Sequence, residues 1–142
     1  MMNPTLKILS LVLNTFTHDT RVLRAATTGL ELGGRCTVFA LHRSGLPGSE
    51  NIGALEVKRF RAITSLSSRN LLLRLLGYVH AIILMMVQGI RLHPDLVHAN
   101  DLPALPLGFL IARSTGAKLL YDSHELWADS SHRLLVPGWP LS

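Results

Sequence analysis

The stretch LKILSLVLNTFTHDTRVLRAATTGLELGGRCTVFAL, residues 6–41, decides the fold. It opens on an unbroken apolar run, residues 6–13. It passes through the polar segment 14–19, then repeats Val22, Ala26 and Leu30 at helical spacing. It stops at Gly33 and Gly34 and resumes as a second apolar run, residues 35–41. Continuous apolar runs suit strands buried on both faces of a parallel sheet. The intervening period is that of a helix covering the sheet, with the paired glycines as its stop and Thr17 or Asp19 as its cap. The unit therefore reads as strand, helix, parallel strand.

The same alternation continues outward. A loop rich in Gly45, Pro47, Gly48 and Gly53 leads to a weaker strand at 55–60, and a long helix at 68–92 ends before Pro94. A fourth strand at 95–99 precedes a helix at 102–114 with Pro103 in its first turn, and a fifth strand occupies 118–122. Residues 123–142 are irregular by composition. Strands alternating with helices imply a parallel α/β sheet with helices on both faces. Right-handed crossovers favour the order 3-2-1-4-5 for five strands.

Composition bounds the rest. The chain has 142 residues, 48% apolar and 16% charged, enough for one domain with a core. The single Cys36 excludes an internal disulfide and, set in an apolar run, reads as a buried thiol. The start lacks a basic leader and the run 8–13 is short for a secretory core, so a cytoplasmic location is expected. Net charge is +5, unevenly spread. No acidic residue falls between Glu56 and Asp95, while Lys58, Arg59, Arg61, Arg69, Arg74 and Arg91 do. Such a field reads equally as a solvated face or as an attractor of phosphates. Aromatic residues are not interleaved with it, which argues against nucleic acid. Residues 71–90 are long and apolar enough to cross a bilayer, but they contain Arg74, His80 and Gln88. A helix packed on a sheet or touching lipid is the preferred reading.

In an open α/β sheet, ligands bind beyond the carboxyl ends of the strands, where strand order reverses. Three polar clusters fall there: Asn14, Thr15, Thr17, His18, Asp19 and Arg21 after strand one; His98, Asn100 and Asp101 after strand four; Asp122, Ser123, His124 and Glu125 after strand five. His124, flanked by carboxylates, can hydrogen-bond a hydroxyl or tune a neighbour near neutral pH, or simply tie its loop down. Asp101 and Asp19 read equally as helix caps, and Arg21 equally as a surface cation. No glycine-rich phosphate cradle and no paired metal-ligand spacing is present, so neither a dinucleotide nor a metal is expected.

Three of these stretches together resemble the family 4 glycosyltransferases. They are Asp19-Thr-Arg21-Val22-Leu-Arg24 with Leu32-Gly33-Gly34; Pro94-Asp95-Leu-Val-His98-Ala99-Asn100-Asp101, similar to PDxVHAHD; and Lys118-Leu-Leu-Tyr121-Asp122-Ser-His124-Glu125, similar to YDxHE. The resemblance implies the amino-terminal, acceptor-side, Rossmann-like half of a GT-B architecture. It also implies a retaining mechanism without metal or cofactor, and a nucleotide-sugar held by a second, carboxy-terminal domain with a Glu-x7-Glu motif. It places His124 in the cleft as the catalytic candidate. Asn14, Thr15, Thr17, His18, Asp19, Arg21, Asn100, Asp101 and Glu125 are then expected to contact substrate. Where many members carry paired glycines after strand one, this chain has residues 14–19. The chain at 1–142 is expected to be a truncated half, inactive alone. Its expected acceptor is a glycan or lipid-linked sugar, met on the anionic inner face of a membrane. Two other readings stay open: a non-catalytic binding module on the same fold, and half of a sugar-nucleotide epimerase.

Overall fold

The computed structural model describes residues 5–17 and 20–122. Six strands form one sheet: β1 (Lys7–Leu11), β2 (Arg35–Leu41), β3 (Ser49–Ile52), β4 (Leu55–Phe60), β5 (Leu96–Ala99) and β6 (Lys118–Tyr121). Three helices join them: α1 (Thr20–Glu31), α2 (Leu71–Leu92) and α3 (Leu105–Thr115). The sheet order is β3-β4-β2-β1-β5-β6. All neighbours are parallel except β3, which runs antiparallel to β4.

This order corrects the expected five-stranded one by an added edge strand. Without β3, the remaining strands lie as the crossover rules require. β3 reads Ser49-Glu-Asn-Ile52 and buries none of its side chains fully, so it carries no apolar signal. It exists through backbone pairing, with Ile52 opposite Leu55 across the two-residue turn Gly53-Ala54. Gly53 at φ 61° supplies the left-handed residue such a hairpin turn needs. Together β3 and β6 form the two edges of the sheet among the described residues.

The faces divide cleanly. Leu9, Leu11, Phe39, Leu41, Val97 and Ala99 point to one side, where α2 and α3 cover them through Ala81, Met85, Leu107 and Ile111. Val12, Val38, Ala40, Leu55 and Val57 point to the other, where α1 covers them with Val22 and Ala26. Each large side chain buried this way contributes about 1.5–3 kcal/mol. The helix ends follow local chemistry. Asn70 caps α2, its side chain accepting from the Leu72 and Leu73 N–H groups at 2.9 and 3.4 Å. That cap starts the helix three residues later than its apolar pattern suggested. His93 closes α2 in the left-handed region, with Pro94 beyond it. The expected helix at 102–114 divides into a 3-10 turn, Leu102–Ala104, and α3, which Gly116 closes at φ 75°. Asp101 caps the turn, and Pro103 lies within it.

Cys36 lies on β2 under α1 and is 1% exposed. Burial pushes its thiol up from 9.0 to about 11. The thiol stays protonated in the fold, so its contribution to stability is intact below pH 9 and is lost as pH rises towards 11. At about pH 8 a thiol reagent is expected to label the native chain at least about 100-fold more slowly than the guanidinium-unfolded chain. Equal rates would show that the α1 face is open.

Candidate functional site

The carboxyl ends of β1, β5 and β6 lie side by side, since β5 pairs with both neighbours in parallel register. Leu11 sits opposite Ala99, and Ala99 opposite Tyr121. The loops after these strands therefore leave the sheet at one rim, as the strand-order argument expects.

The turn after β1 is tightly built. Asn14 accepts a 2.7 Å hydrogen bond from the Phe16 N–H through its side chain, and its own carbonyl accepts from the Leu41 N–H at 2.8 Å. This Asx turn holds Phe16 at φ 49°, a conformation costly for an aromatic residue unless its surroundings fix it. Here the ring is buried with Val12 and Val22. Thr15 and Thr17 present hydroxyls 3.4 Å apart at the surface of the turn. Arg21 is exposed on the first turn of α1. His18 and Asp19 lie outside the described residues.

Arg59 explains why this turn holds. It alternates with Leu55 and Val57 on β4, which aims it inward, and its side chain is 2% exposed. The guanidinium donates to the Thr15 carbonyl at 2.9 Å, to the Phe16 carbonyl at 3.2 Å and to the Pro47 carbonyl at 3.2 Å, and it pairs with the Glu50 carboxylate. Four acceptors surround one planar cation, a geometry suited to Arg and not to Lys. Arg59 is thus no part of the basic surface that charge counting predicts. Lys58 is likewise paired, 3.3 Å from Glu56.

On the β5 side, Asn100 is buried. Its side-chain amide donates to Ser10 Oγ at 2.7 Å and to the Leu11 carbonyl at 3.0 Å, pinning β5 to β1. Asp101 is half-buried. One carboxylate oxygen caps the 3-10 turn through the Ala104 N–H at 2.9 Å, and the other accepts from the Leu13 N–H at 3.4 Å. The capping role weighed for Asp101 is realised, and its carboxylate also reaches the start of the β1 turn. His98 Nε2 lies 4.0 Å from Asp122 Oδ2, joining the ends of β5 and β6. This pair, an imidazole beside a carboxylate, belongs to the same rim. His124 and Glu125 lie outside the described residues.

The sequence reading missed a second feature. A cleft of about 380 Å³ opens at the carboxyl ends of β2 and β4. Its walls carry His42, Arg43 and Ser44 from one loop, and Arg61, Thr64 and Ser65 from the other. No acidic side chain lines it. The signal was present in the sequence, as an Arg beside hydroxyl residues after each of two strands, but only the sheet order brings the two loops together. The loop carrying Thr64 packs on α2, where a Cβ on Gly77 would stand 2.7 Å from Thr64 Oγ1 and 3.0 Å from the Thr64 carbonyl. Glycine lets the helix approach that closely.

No protein-family profile matches the chain, and no curated protein matches it. Solved structures do. Over 89% of this chain, sucrose-phosphate synthase from Thermosynechococcus elongatus superposes with a TM-score of 0.64 at 13% identity. The chain spans 35% of that synthase. A second structure of the synthase gives a TM-score of 0.62 at 13% identity over 90% of this chain and 67% of the other. The carboxy-terminal domain of a hydrogenase from Pyrococcus furiosus gives 0.58 at 16% identity, over 84% of this chain and 95% of the domain. The fold shared with these structures is a Rossmann-like α/β sheet. At these identities the likeness concerns architecture, and the hydrogenase domain shows that the same layers serve other proteins.

Replacing Arg59 by Met is expected to lower unfolding stability by about 3 kcal/mol, because three carbonyls and Glu50 lose their shared partner. Arg59→Lys recovers little of it, since one ammonium cannot reach all four. Urea denaturation checks both, and an unchanged midpoint in either variant would contradict the clamp. Asp101→Ala costs about 1 kcal/mol in the same assay, the usual worth of such a cap.

Proposed function

We propose that this chain is the acceptor-binding half of a retaining glycosyltransferase of the family 4 type, one that moves a sugar from a nucleotide-sugar to a glycan or lipid-linked acceptor. The observation that carries the reading is the convergence at one rim. The stretches resembling PDxVHAHD and YDxHE end on adjacent parallel strands, Ala99 opposite Tyr121, beside the turn after β1. Among the described residues, the two stretches thus bring His98, Asn100, Asp101 and Asp122 to one rim of the sheet. Likeness to sucrose-phosphate synthase, a protein named for a sugar product, supports the same direction.

In this reading the exposed hydroxyls of Thr15 and Thr17 and the side chain of Arg21 meet the acceptor. The His98–Asp122 pair tunes the polarity of the crevice floor, and Asn100 and Asp101 fix the strand ends that shape it. His124, carried over from the resemblance, is the catalytic candidate, with Glu125 beside it. The nucleotide-sugar is held by a second Rossmann-like domain, and neither a metal nor a bound cofactor takes part. The chain by itself contributes recognition and not turnover. One other reading is a module without sugar-transfer activity on the same layers, since the hydrogenase-domain likeness shows that the fold is not confined to sugar transferases.

Incubated with uridine- and guanosine-diphosphate sugars, the isolated chain is expected to release no nucleoside diphosphate and to transfer no sugar. Saturation-transfer NMR on the same sample is expected to show saccharide acceptors in contact with it, at about millimolar Kd. Transfer by the chain alone would overturn the division of labour between two domains. No saccharide contact across a broad acceptor panel would favour the module instead.

A further inference from the structure

The cleft at the carboxyl ends of β2 and β4 has no part in the sugar-transfer reading, and its charge is unbalanced. Arg43 lines it from the loop after β2, with Ser44 beside it, and Arg61 lines it from the loop after β4, with Ser65. Both arginines are exposed, and no salt bridge among the described residues engages either. Their neighbours on β4 differ: Lys58 pairs with Glu56 and Arg59 with Glu50. Cations are thus neutralised along the strand and left uncompensated where the chain enters the cleft. No acidic residue occurs from 57 to 94 to offset Arg61. Two cations held in one concavity repel each other, and an anion between them relieves that repulsion.

The walls that carry the two arginines are fixed. Leu41 and Phe60 are partners in register, and the His42 N–H donates to the Phe60 carbonyl at 3.0 Å, so the two loops start side by side. The first loop closes on itself. His42 Nε2 donates to the Leu46 carbonyl at 3.0 Å, and the Leu46 N–H donates to the Arg43 carbonyl at 3.1 Å. The second loop is tied to α2, where the Ile63 N–H donates to His80 Nδ1 at 3.1 Å and the Thr64 hydroxyl donates to the Leu73 carbonyl. Ser65 Oγ accepts from the Ser67 N–H at 3.3 Å, which leaves its own O–H to donate. Walls ordered in advance lower the entropy lost when a ligand binds.

We propose that this cleft binds the terminal phosphate of a phosphomonoester. Arg43 and Arg61 clamp the phosphate from the two loops, each guanidinium offering a fork of donors to its oxygens. The hydroxyls of Ser44 and Ser65 donate to what remains. Ala62, Ile63 and Leu66 supply an apolar wall for the carbon body of the ligand. Charge selects the monoester: its phosphate approaches two negative charges near neutral pH, matching two cations, whereas a carboxylate or a phosphodiester brings one. Size selects a small molecule, since about 380 Å³ lies at the lower end of the usual range for such sites. The proposal goes beyond the sugar-transfer reading and does not rest on it.

Isothermal titration calorimetry of the full chain tests it. Glucose-6-phosphate is compared with its methyl phosphodiester and with glucose. A parallel arm compares short-chain phosphatidic acid with short-chain phosphatidylglycerol, because a lipid can carry the same monoester. The expected result is binding of a monoester at least about tenfold tighter than of its diester or neutral counterpart. The arm that binds tighter names the bearer, a soluble sugar or a lipid, and either supports the site. Arg43→Gln and Arg61→Gln each weaken monoester binding about tenfold, and together about a hundredfold. Arg113→Gln removes an exposed cation from α3, over β5 and β6, and changes binding by less than about twofold. Circular dichroism melts confirm that these exposed substitutions leave the chain folded. Monoester and diester binding equally in both arms would overturn the proposal, as would binding in neither arm. Undiminished binding by the folded double variant would also overturn it. An equal loss in Arg113→Gln would replace the site by the diffuse field of a basic protein. The readout is phosphate binding, not saccharide contact or sugar transfer, so failure of either reading leaves the other standing.

Discussion

One buried guanidinium organises the rim. Arg59 reaches from β4 across β2 to the turn after β1 and, on its other side, to Pro47 and Glu50. A cation this deep is tolerated only when its donors are matched, and here backbone carbonyls and one carboxylate match them. The match fixes the backbone of Thr15 and Phe16 in a shape that an Asx turn alone would leave loose. It also anchors the edge hairpin, since Glu50 lies on β3. The turn after β1, the loop at Pro47 and the edge hairpin are thus held by one clamp.

Helix α2 meets a different constraint. Its inner face is narrow because the sheet and α3 lie close: at Gly89 a Cβ would come 2.6 Å from Ile111 Cδ1. Small residues on that side leave the bulky apolar ones facing out. Met85 reaches the core and Ile82, Met86 and Ile90 pack at its margin, but Leu72, Leu76, Val79, Ile83 and Val87 face outward and contribute little to it. Their cost in water is offset only when something apolar covers them.

How far the sequence revealed this depended on the kind of force involved. Strands held by side-chain burial were legible: β1, β2 and β4 read as apolar or alternating runs. Helix ends set by glycine, proline and asparagine were legible within a few residues. β3 was not, because a polar edge strand is made by backbone pairing and leaves no apolar period. Arg59 was read as surface charge, although Leu55, Val57 and Arg59 share the two-residue period of one strand face. Counting charges without phase concealed it. At the candidate site, Asn14 and Asp101 were placed correctly on the rim. Their engagement with the backbone, and the burial of Asn100, depend on distances no spacing rule contains. The basic cleft required knowing which loops become neighbours.

The two edges of the sheet differ in kind. β3 is short, polar and antiparallel, with Glu50 engaged by Arg59, and such an edge offers little to an approaching strand. β6, the other edge among the described residues, is parallel and leaves Leu120 half-exposed on the face away from α3. The sheet has a polarity of growth, like a filament capped at one end. A strand added at β6 would extend the sheet beside the β1–β5–β6 rim, away from the basic cleft at β2 and β4.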